Sequence, residues 1–364
     1  MKKVVIIGAG AAGISLAISL KRNGHSVKIF EKRNKASHNG LALLLLSNGF
    51  NALRELGLEQ DILKKIRPLH NYRNIYSTGQ SVFSEDMHEL FGAKRHDIVS
   101  TLRDQLNEGD VVYGHEFSHF HYDADGCATA VHFTNGHKEE ADIFIGADGA
   151  NSRIRKILFP QRQLSRINVK EVVSLVRAPE LAQRLNTTFI KTTCKAGGRA
   201  VGLLPCSKEE VVWFFQFDET IIEFDPERYD LRSFMIHQLN SWANPVSELL
   251  HVTDFSKSYL WDTHDLNPLP RYHYNNVGLV GDAAHVFTTF TSQGLNTALE
   301  DGLVLGNIIS EAPLNTPVNV IFDEYFKKRK GTAERHLTYG RNLKQQFLRA
   351  NTQPEELMVP MANG

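Results

Sequence analysis

Residues 1–32 constrain this chain most. Val4, Val5, Ile6 and Ile7 form an apolar run, and Gly8-Ala9-Gly10-Ala11-Ala12-Gly13 follows at once. Ile14, Leu16, Ala17, Ile18 and Leu20 then recur at helical spacing up to Gly24, and Val27-Lys28-Ile29-Phe30 closes on Glu31 and Lys32. This order predicts a buried parallel strand, a tight turn, a helix and a second parallel strand. Gly8 makes the turn, Gly10 lets a pyrophosphate reach the backbone, and Gly13 lets helix and strand pack closely. The helix start, with unpaired N–H groups and partial positive charge, faces the phosphates. A carboxylate ending the second strand accepts hydrogen bonds from a ribose and repels a 2′-phosphate, so Glu31 favours FAD or NAD over NADP. Met1-Lys2-Lys3 before an apolar stretch has the outline of a signal peptide. Three glycines inside that stretch, and no small-residue cleavage pattern after it, disfavour that reading.

The 364 residues, 42% hydrophobic and 23% charged, suit a soluble globular protein of one large or two ordinary domains. Lys+Arg and Asp+Glu balance at 41 each, so no global field recruits nucleic acid or an anionic membrane surface. Cys127, Cys194 and Cys206 are scattered with no CxxC pair, which speaks against a disulfide framework and a zinc site and for a reducing cytoplasm. No apolar run has the length of a membrane span.

Further along, Leu43-Leu44-Leu45-Leu46 reads as a buried strand beside the nucleotide, followed by a helix over 50–56. Residues 72–86 read as a hairpin turned at Thr78-Gly79. Arg95 opens a helix with Ile98, Leu102 and Leu106 on one face, as a solvated charge or an arm over phosphate. Residues 111–122 and 127–133 alternate as strands of a three-stranded meander turned at Asp125-Gly126 and Asn135-Gly136. His115, His119 and His121 would share one strand face there; lacking a fourth ligand at suitable spacing, a half-exposed face is preferred to a metal site. Ile143-Phe144-Ile145 is a short buried strand, with Asp148-Gly149 turning at its carboxyl end, where open α/β sheets place their sites. Residues 164–261 are strand-rich and predict a second, mainly antiparallel sheet, with one helix between 231 and 250. Trp213, Phe214, Phe215 and Phe217 divide between its two faces. A last buried strand ends in Gly281-Asp282, and after residues 288–291 a helix begins at Ser292-Gln293-Gly294-Leu295-Asn296, presenting a second helix start to negative charge. Residues 318–349 read as a charged helix, with Tyr325 to Arg329 on a solvated face.

Three motifs, Gly8-x-Gly10-x-x-Gly13 with Glu31, Gly146-Ala147-Asp148-Gly149 through Arg155, and Gly281-Asp282-Ala283-Ala284-His285, occur in one order. Together they resemble the class A FAD-dependent monooxygenases of the p-hydroxybenzoate hydroxylase type, over nearly the whole chain. Arg95 and its helix are similar to that family's flavin-binding Arg-x-x-Leu helix. The resemblance implies an α/β fold. A Rossmann-like FAD-binding domain (1–70, 95–163 and 272–312) would join an antiparallel β-sheet substrate domain (71–94 and 164–271) and a C-terminal helical segment (313–364). It also implies noncovalent FAD, held by Gly8, Gly10, Ala12, Gly13, Glu31, Lys32, Arg95, Asp148, Asp282, Gly294, Leu295 and Asn296, with NADPH or NADH as transient reductant. One oxygen atom of O2 would pass through a flavin C4a-hydroperoxide to an aromatic or polyketide-like small molecule. Thr289 and Phe290 would lie by the flavin ring, with Tyr72, Trp213 and Phe215 as substrate-pocket candidates. A monomer or homodimer is expected.

The chain departs from the family pattern at three places, one of them an Asn275-Asn276 pair where an arginine often precedes the strand. Thr289 stands where a proline is usual, which loosens the loop and adds a hydroxyl, and Ser292 stands for the first glycine of Gly-Gln-Gly-x-Asn. These departures motivate an alternative, an FAD-dependent reductase or dehydrogenase on the same scaffold. A flavin-binding carrier without turnover is a third reading, disfavoured because both nucleotide-facing helix starts are intact. A plain NAD-dependent dehydrogenase has no need of the Gly281-Asp282 element. The Gly-Trp-x-Trp-x-Ile-Pro signature of flavin halogenases is absent.

Overall fold

The computed structural model describes residues 2–35 and 41–351. The apolar run at the start becomes β1 (Lys3–Ile7), buried at the middle of a six-stranded sheet. It runs parallel to β2 (Ser26–Glu31) on one side and to β10 (Ile143–Gly146) on the other. The short strand β6 (Val111–Tyr113) extends the sheet beyond β2. On the other edge β17 (Val277–Leu279) adds in parallel, and β16 (His273–Tyr274) adds antiparallel. Strands buried on both faces carry continuous apolar residues, which is why this set reads as unbroken runs in the sequence. Helix α1 (Ala11–Arg22) crosses from β1 to β2, and α9 (Gln293–Glu311) lies against it. The two helices approach so closely that a Cβ on Gly302 would run into Ser15 and the α1 backbone.

The second sheet has eight strands in the order β15-β11-β14-β13-β12-β4-β5-β3. They are β3 (Ala42–Leu45), β4 (Arg67–Tyr76), β5 (Ser81–Lys94), β11 (Leu164–Arg177), β12 (Thr188–Thr193), β13 (Arg199–Pro205), β14 (Glu210–Asp218) and β15 (Tyr259–Leu266). All neighbours are antiparallel except β12 and β4. Helices α6 (Pro179–Leu185), α7 (Leu231–Leu239) and α8 (Val246–Val252) share an apolar core with one face of this sheet. A third sheet, β7 (Phe117–Tyr122), β8 (Ala128–Phe133) and β9 (Lys138–Glu140), is the expected meander. Asn276 ties it to the parallel sheet by donating to the carbonyls of Ala128 and Asp142 and accepting from the Ala128 N–H. Helices α2 (Ser47–Glu55), α3 (Glu59–Leu63), α4 (Arg95–Arg103), α5 (Arg153–Leu158) and α10 (Val318–Leu348) complete the order. Among the described residues no helix is long and apolar enough to cross a membrane.

Four local expectations change. Residues 111–122 are two strands, because Gly114 turns the chain at φ +72°: β6 joins the parallel sheet and β7 opens the meander. His115 therefore leaves the face of His119 and His121; it lies by Phe30 and Phe133, while His119 stacks on His132 with centroids 4.7 Å apart. The strand expected at Leu43 to Leu46 is Ala42–Leu45, which pairs with β5 at the edge of the eight-stranded sheet. The helix expected over 231–250 is two, α7 and α8, broken before Pro245, whose ring and missing N–H do not suit a helix interior. Finally, Tyr325 and Arg329 are not on a solvated face but buried, for a reason that lies in the site.

Candidate FAD site

A cleft of about 500 Å³ opens at the carboxyl ends of β1, β2 and β10. Gly8, Gly10, Glu31, Lys32, Arg95 and Asp148 line it, together with Arg33, Lys35 and Arg153. Ala12 and Gly13 lie beneath it, buried in α1. Gly8 has φ +114°, and a Cβ there would run into the Ala147 carbonyl; by contrast nothing stands within 4 Å of a Cβ on Gly10, so the backbone is open to a ligand. Glu31 accepts from the Ala9 N–H (3.0 Å) and the Arg33 N–H (3.0 Å), which holds its carboxylate against the glycine-rich turn with acceptor capacity to spare. Asp148 caps α5 through one oxygen, from the N–H groups of Arg153 and Ile154, while its buried Oδ1 has no partner.

The second part of the site follows β17. The turn Gly281–Ala283 carries Asp282, and a Cβ on Gly294 would lie 3.9 Å from Asp282 Oδ1, so this carboxylate faces the start of α9. Burial pushes the Asp282 carboxyl up, while His285 and Arg95 pull it down. Asn296, named from the sequence, uses its side chain structurally. It donates to the carbonyls of Leu44 and Ser292 and accepts from the Leu46 N–H, pinning the end of β3 to α9. Ser292 stands immediately before α9 in the left-handed region, φ +53°, where glycine is at ease and serine is not.

Two residues missed from the sequence hold these parts together. Arg155, fully buried, donates from Nη1 to the carbonyls of Asp282 (3.0 Å) and Ala283 (3.2 Å), joining the second motif to the third. Asp301, also fully buried, accepts from the Gly281 N–H (2.9 Å), His285 Nε2 (2.6 Å) and Arg329 Nε (2.6 Å). Burial alone would raise the Asp301 carboxyl, but its electrostatic and hydrogen-bond interactions with His285 and Arg329 hold it well below the usual carboxylate range. Arg329 also pairs with Glu300 at 2.8 Å, which is why the cationic run of α10 turns inward here. An arginine in an i, i+4 helical stripe with apolar Tyr325 was the available signal.

The substrate-side candidates separate by strand parity. Trp213 and Phe215 face α7 and α8, and Trp213 Nε1 donates to Thr253 Oγ1 at 3.0 Å; they are core, not pocket. Their neighbours Phe214 and Gln216 take the opposite face, which Tyr72 shares. Tyr72 is 1% exposed and accepts from Asn74 Nδ2. Thr289 accepts from Gln216 Nε2 at 3.4 Å, and Phe290 packs on Ala200, Leu343 and Phe347. The loop named from the sequence thus meets the polar face of the large sheet.

An open backbone at Gly10, a buried unpaired oxygen on Asp148, the Arg95 guanidinium with no hydrogen bond among the described residues, and Asp282 opposite a helix start together fit an extended FAD. The fold and the site define an FAD-dependent oxidoreductase. The chain belongs to the family described as "FAD binding domain", whose model matches residues 1–339, and its relatives group it with the class A FAD-dependent monooxygenases, as its motifs implied. It is 28% identical over 324 residues to an FAD-dependent urate hydroxylase of Klebsiella pneumoniae, covering 85% of this chain and 82% of that protein. It is 24% identical over 315 residues to the aurachin C monooxygenase/isomerase of Stigmatella aurantiaca, covering 84% and 80%. In fold it is similar to Klebsiella pneumoniae HpxO complexed with FAD and uric acid, with TM-score 0.85 and 24% identity over 95% of this chain and 88% of that one.

Proposed function

We propose that this protein inserts one oxygen atom from O2 into an aromatic or polyketide-like small molecule, using NADH or NADPH to reduce noncovalent FAD. The observation that carries the reading is the join between Thr289 and Gln216, where the dinucleotide cradle runs into a polar face of the second sheet. Bound FAD supplies the redox and oxygen chemistry. Glu31, the Gly8–Gly10 backbone and Arg95 hold its adenosine and phosphate portion, and Asp282 its ribityl portion. The N–H groups at Gly294, Leu295 and Asn296 begin α9, a helix of 19 residues, and stabilise negative charge placed beside them. Phe290, 6% exposed beneath α10, keeps water from the space next to Thr289.

A yellow protein that releases FAD on denaturation, consumes NAD(P)H faster when substrate is present and places one labelled atom from ¹⁸O₂ in the product would support this reading. A colourless protein without FAD affinity would end it. Anaerobic turnover of an unsaturated substrate, with no oxygen incorporated, would favour the reductase, a reading that keeps one supporting observation in the strained Ser292 at the start of α9.

A further inference from the structure

The loop before α9 turns one hydroxyl toward the large sheet. Thr291 donates to the Thr288 carbonyl, and the Thr288 hydroxyl packs against Gly340 of α10, where a Cβ would meet it. Thr289 instead accepts from Gln216 Nε2 (3.4 Å), and the same amide nitrogen donates to Glu171 Oε2 (2.8 Å). One nitrogen thus holds the Glu171 carboxyl and the Thr289 hydroxyl side by side, and hydrogen bonds from both Gln216 and Thr289 bear on the carboxyl.

The strand register sets what surrounds Glu171. On β11 it pairs with Gln216 of β14 on one side and with Trp261 of the edge strand β15 on the other, so the three side chains take one face. Trp261 is 48% exposed and Glu171 is half-buried, so the carboxyl lies one strand in from the open edge of the sheet and reaches Thr289 on its inner side. Helix α10 packs the apolar Leu343 and Phe347 with Ala200, the cross-strand partner of Gln216. Lys191 on β12, 6% exposed, is the charged group that acts on Glu171. Burial raises the Glu171 carboxyl, and the hydrogen bonds from Gln216 and Thr289 and the Lys191 charge oppose it without cancelling it.

We infer that Glu171 is a positioning residue for proton supply, passing protons from the edge of the large sheet to the space beside the flavin ring through the Thr289 hydroxyl. This inference rests on the proposed function. Oxygen insertion converts substrate, O2, NAD(P)H and one H+ into oxygenated substrate, NAD(P)+ and H2O, so one proton enters per turnover. Reoxidation of anionic reduced FAD by O2 alone also takes up one proton, as O2 leaves as H2O2. Phe290 keeps water from this space, so the proton needs a route made of side chains. When neutral, Glu171 donates its O–H to Thr289 Oγ1 while the threonine hands on its own proton; when charged, it accepts from that hydroxyl and is reprotonated from the sheet edge. A proline at position 289 has no hydroxyl with which to do this.

The test photoreduces the FAD-loaded protein, mixes it with oxygenated buffer across neutral pH and follows the return of oxidised-flavin absorbance, so that no substrate is needed. Glu171→Gln should slow this return at least about tenfold and remove one ionisation from its pH profile, while Glu171→Asp recovers part of the rate. Thr289→Val, similar in volume and without the hydroxyl, should lose the same ionisation, and the double variant should be no slower than the slower single one. Infrared spectra, taken with and without FAD and apart from any turnover, should show a D2O-sensitive carboxyl band in wild type that Glu171→Gln removes. Should Glu171→Gln fail to hold FAD, Thr289→Val and Glu171→Asp decide the question on the same profile. One pH profile shared by wild type and these variants, or no carboxyl band that Glu171→Gln removes, overturns the inference alone. Wild type that holds no FAD, or holds it and is not reoxidised by O2, overturns the proposed function, and the inference with it.

Discussion

The two ends of the cradle proposed for FAD, adenosine end and ring end, are built by different means. The adenosine end is a matter of backbone: Gly8, Gly10 and the start of α1 act through what they lack, and Glu31 is held by N–H groups two and twenty-two residues away. The ring end is a matter of side chains brought from far apart. Asp301 joins Gly281 to Arg329, Arg155 reaches Asp282 and Ala283, and Gln216 reaches Thr289. A site made of backbone leaves few alternatives that still fold. A site made of side chains can be altered one residue at a time, and Thr289 and Ser292 are where this chain departs from the family pattern.

Asp301→Asn gives the largest effect expected. Removing one partner of a buried ion pair leaves Arg329 charged and under-matched, which costs about 4 kcal/mol by chemical denaturation. The native carboxyl lies below its ordinary value, so its stabilisation is present above pH of about 4 and is lost as pH falls through the native pKa. The variant should lack that acid limb. A cost below about 1 kcal/mol would show that the ring end does not depend on this pair.

Gly8→Ala tests the other end. A side chain at φ +114° against the Ala147 carbonyl should destabilise by about 3 kcal/mol and weaken FAD binding roughly 100-fold in fluorescence titration. Unchanged FAD affinity would break the contrast, because the turn would then tolerate a side chain after all.

Alkaline pH separates Lys191 from the rest of its face, which comprises Glu171, Gln216, Asn74 and Phe290. Its native pKa, about 8, lies below the unfolded value, so between about pH 8 and 10.5 the unfolded chain binds the extra proton and stability rises with pH. Relative to Lys191→Met, wild type without ligand should gain up to about 3 kcal/mol over that window in paired denaturation curves. Parallel curves would mean that Lys191 is solvated. The smallest effect is at Ser292: glycine accepts φ +53° freely, so Ser292→Gly should add about 1 kcal/mol and raise the thermal midpoint by about 2 °C. A lowered midpoint would assign the serine hydroxyl a structural bond of its own.

Much of the architecture was legible in sequence because its causes are local. Period-two and unbroken apolar runs marked β1, β2, β10 and β17, helical spacing marked α1 and α9, and the cleft residues from Gly8 to Asp148 followed from turns at strand ends. Failures came where a single residue or a distant partner decides. Gly114 divides one alternating stretch between two sheets. The alternation of residues 213–217 was visible, but which parity faces α7 and α8 was not, so Trp213 and Phe215 were read as pocket candidates. Lys191, Gln216, Arg155 and Asp301 carried no local signal that told a buried polar group from a solvated one.

By itself, then, the sequence determined the dinucleotide end, since a glycine turn, a helix start and a strand-end carboxylate act within about thirty residues of chain. Tertiary structure decided the ring end. There the chemistry depends on which face of a sheet a side chain takes, and on whether a buried charge finds a partner far along the chain, as Arg329 finds Asp301 across 28 residues. Burial and pairing are properties of the packed chain, and no local pattern encodes them.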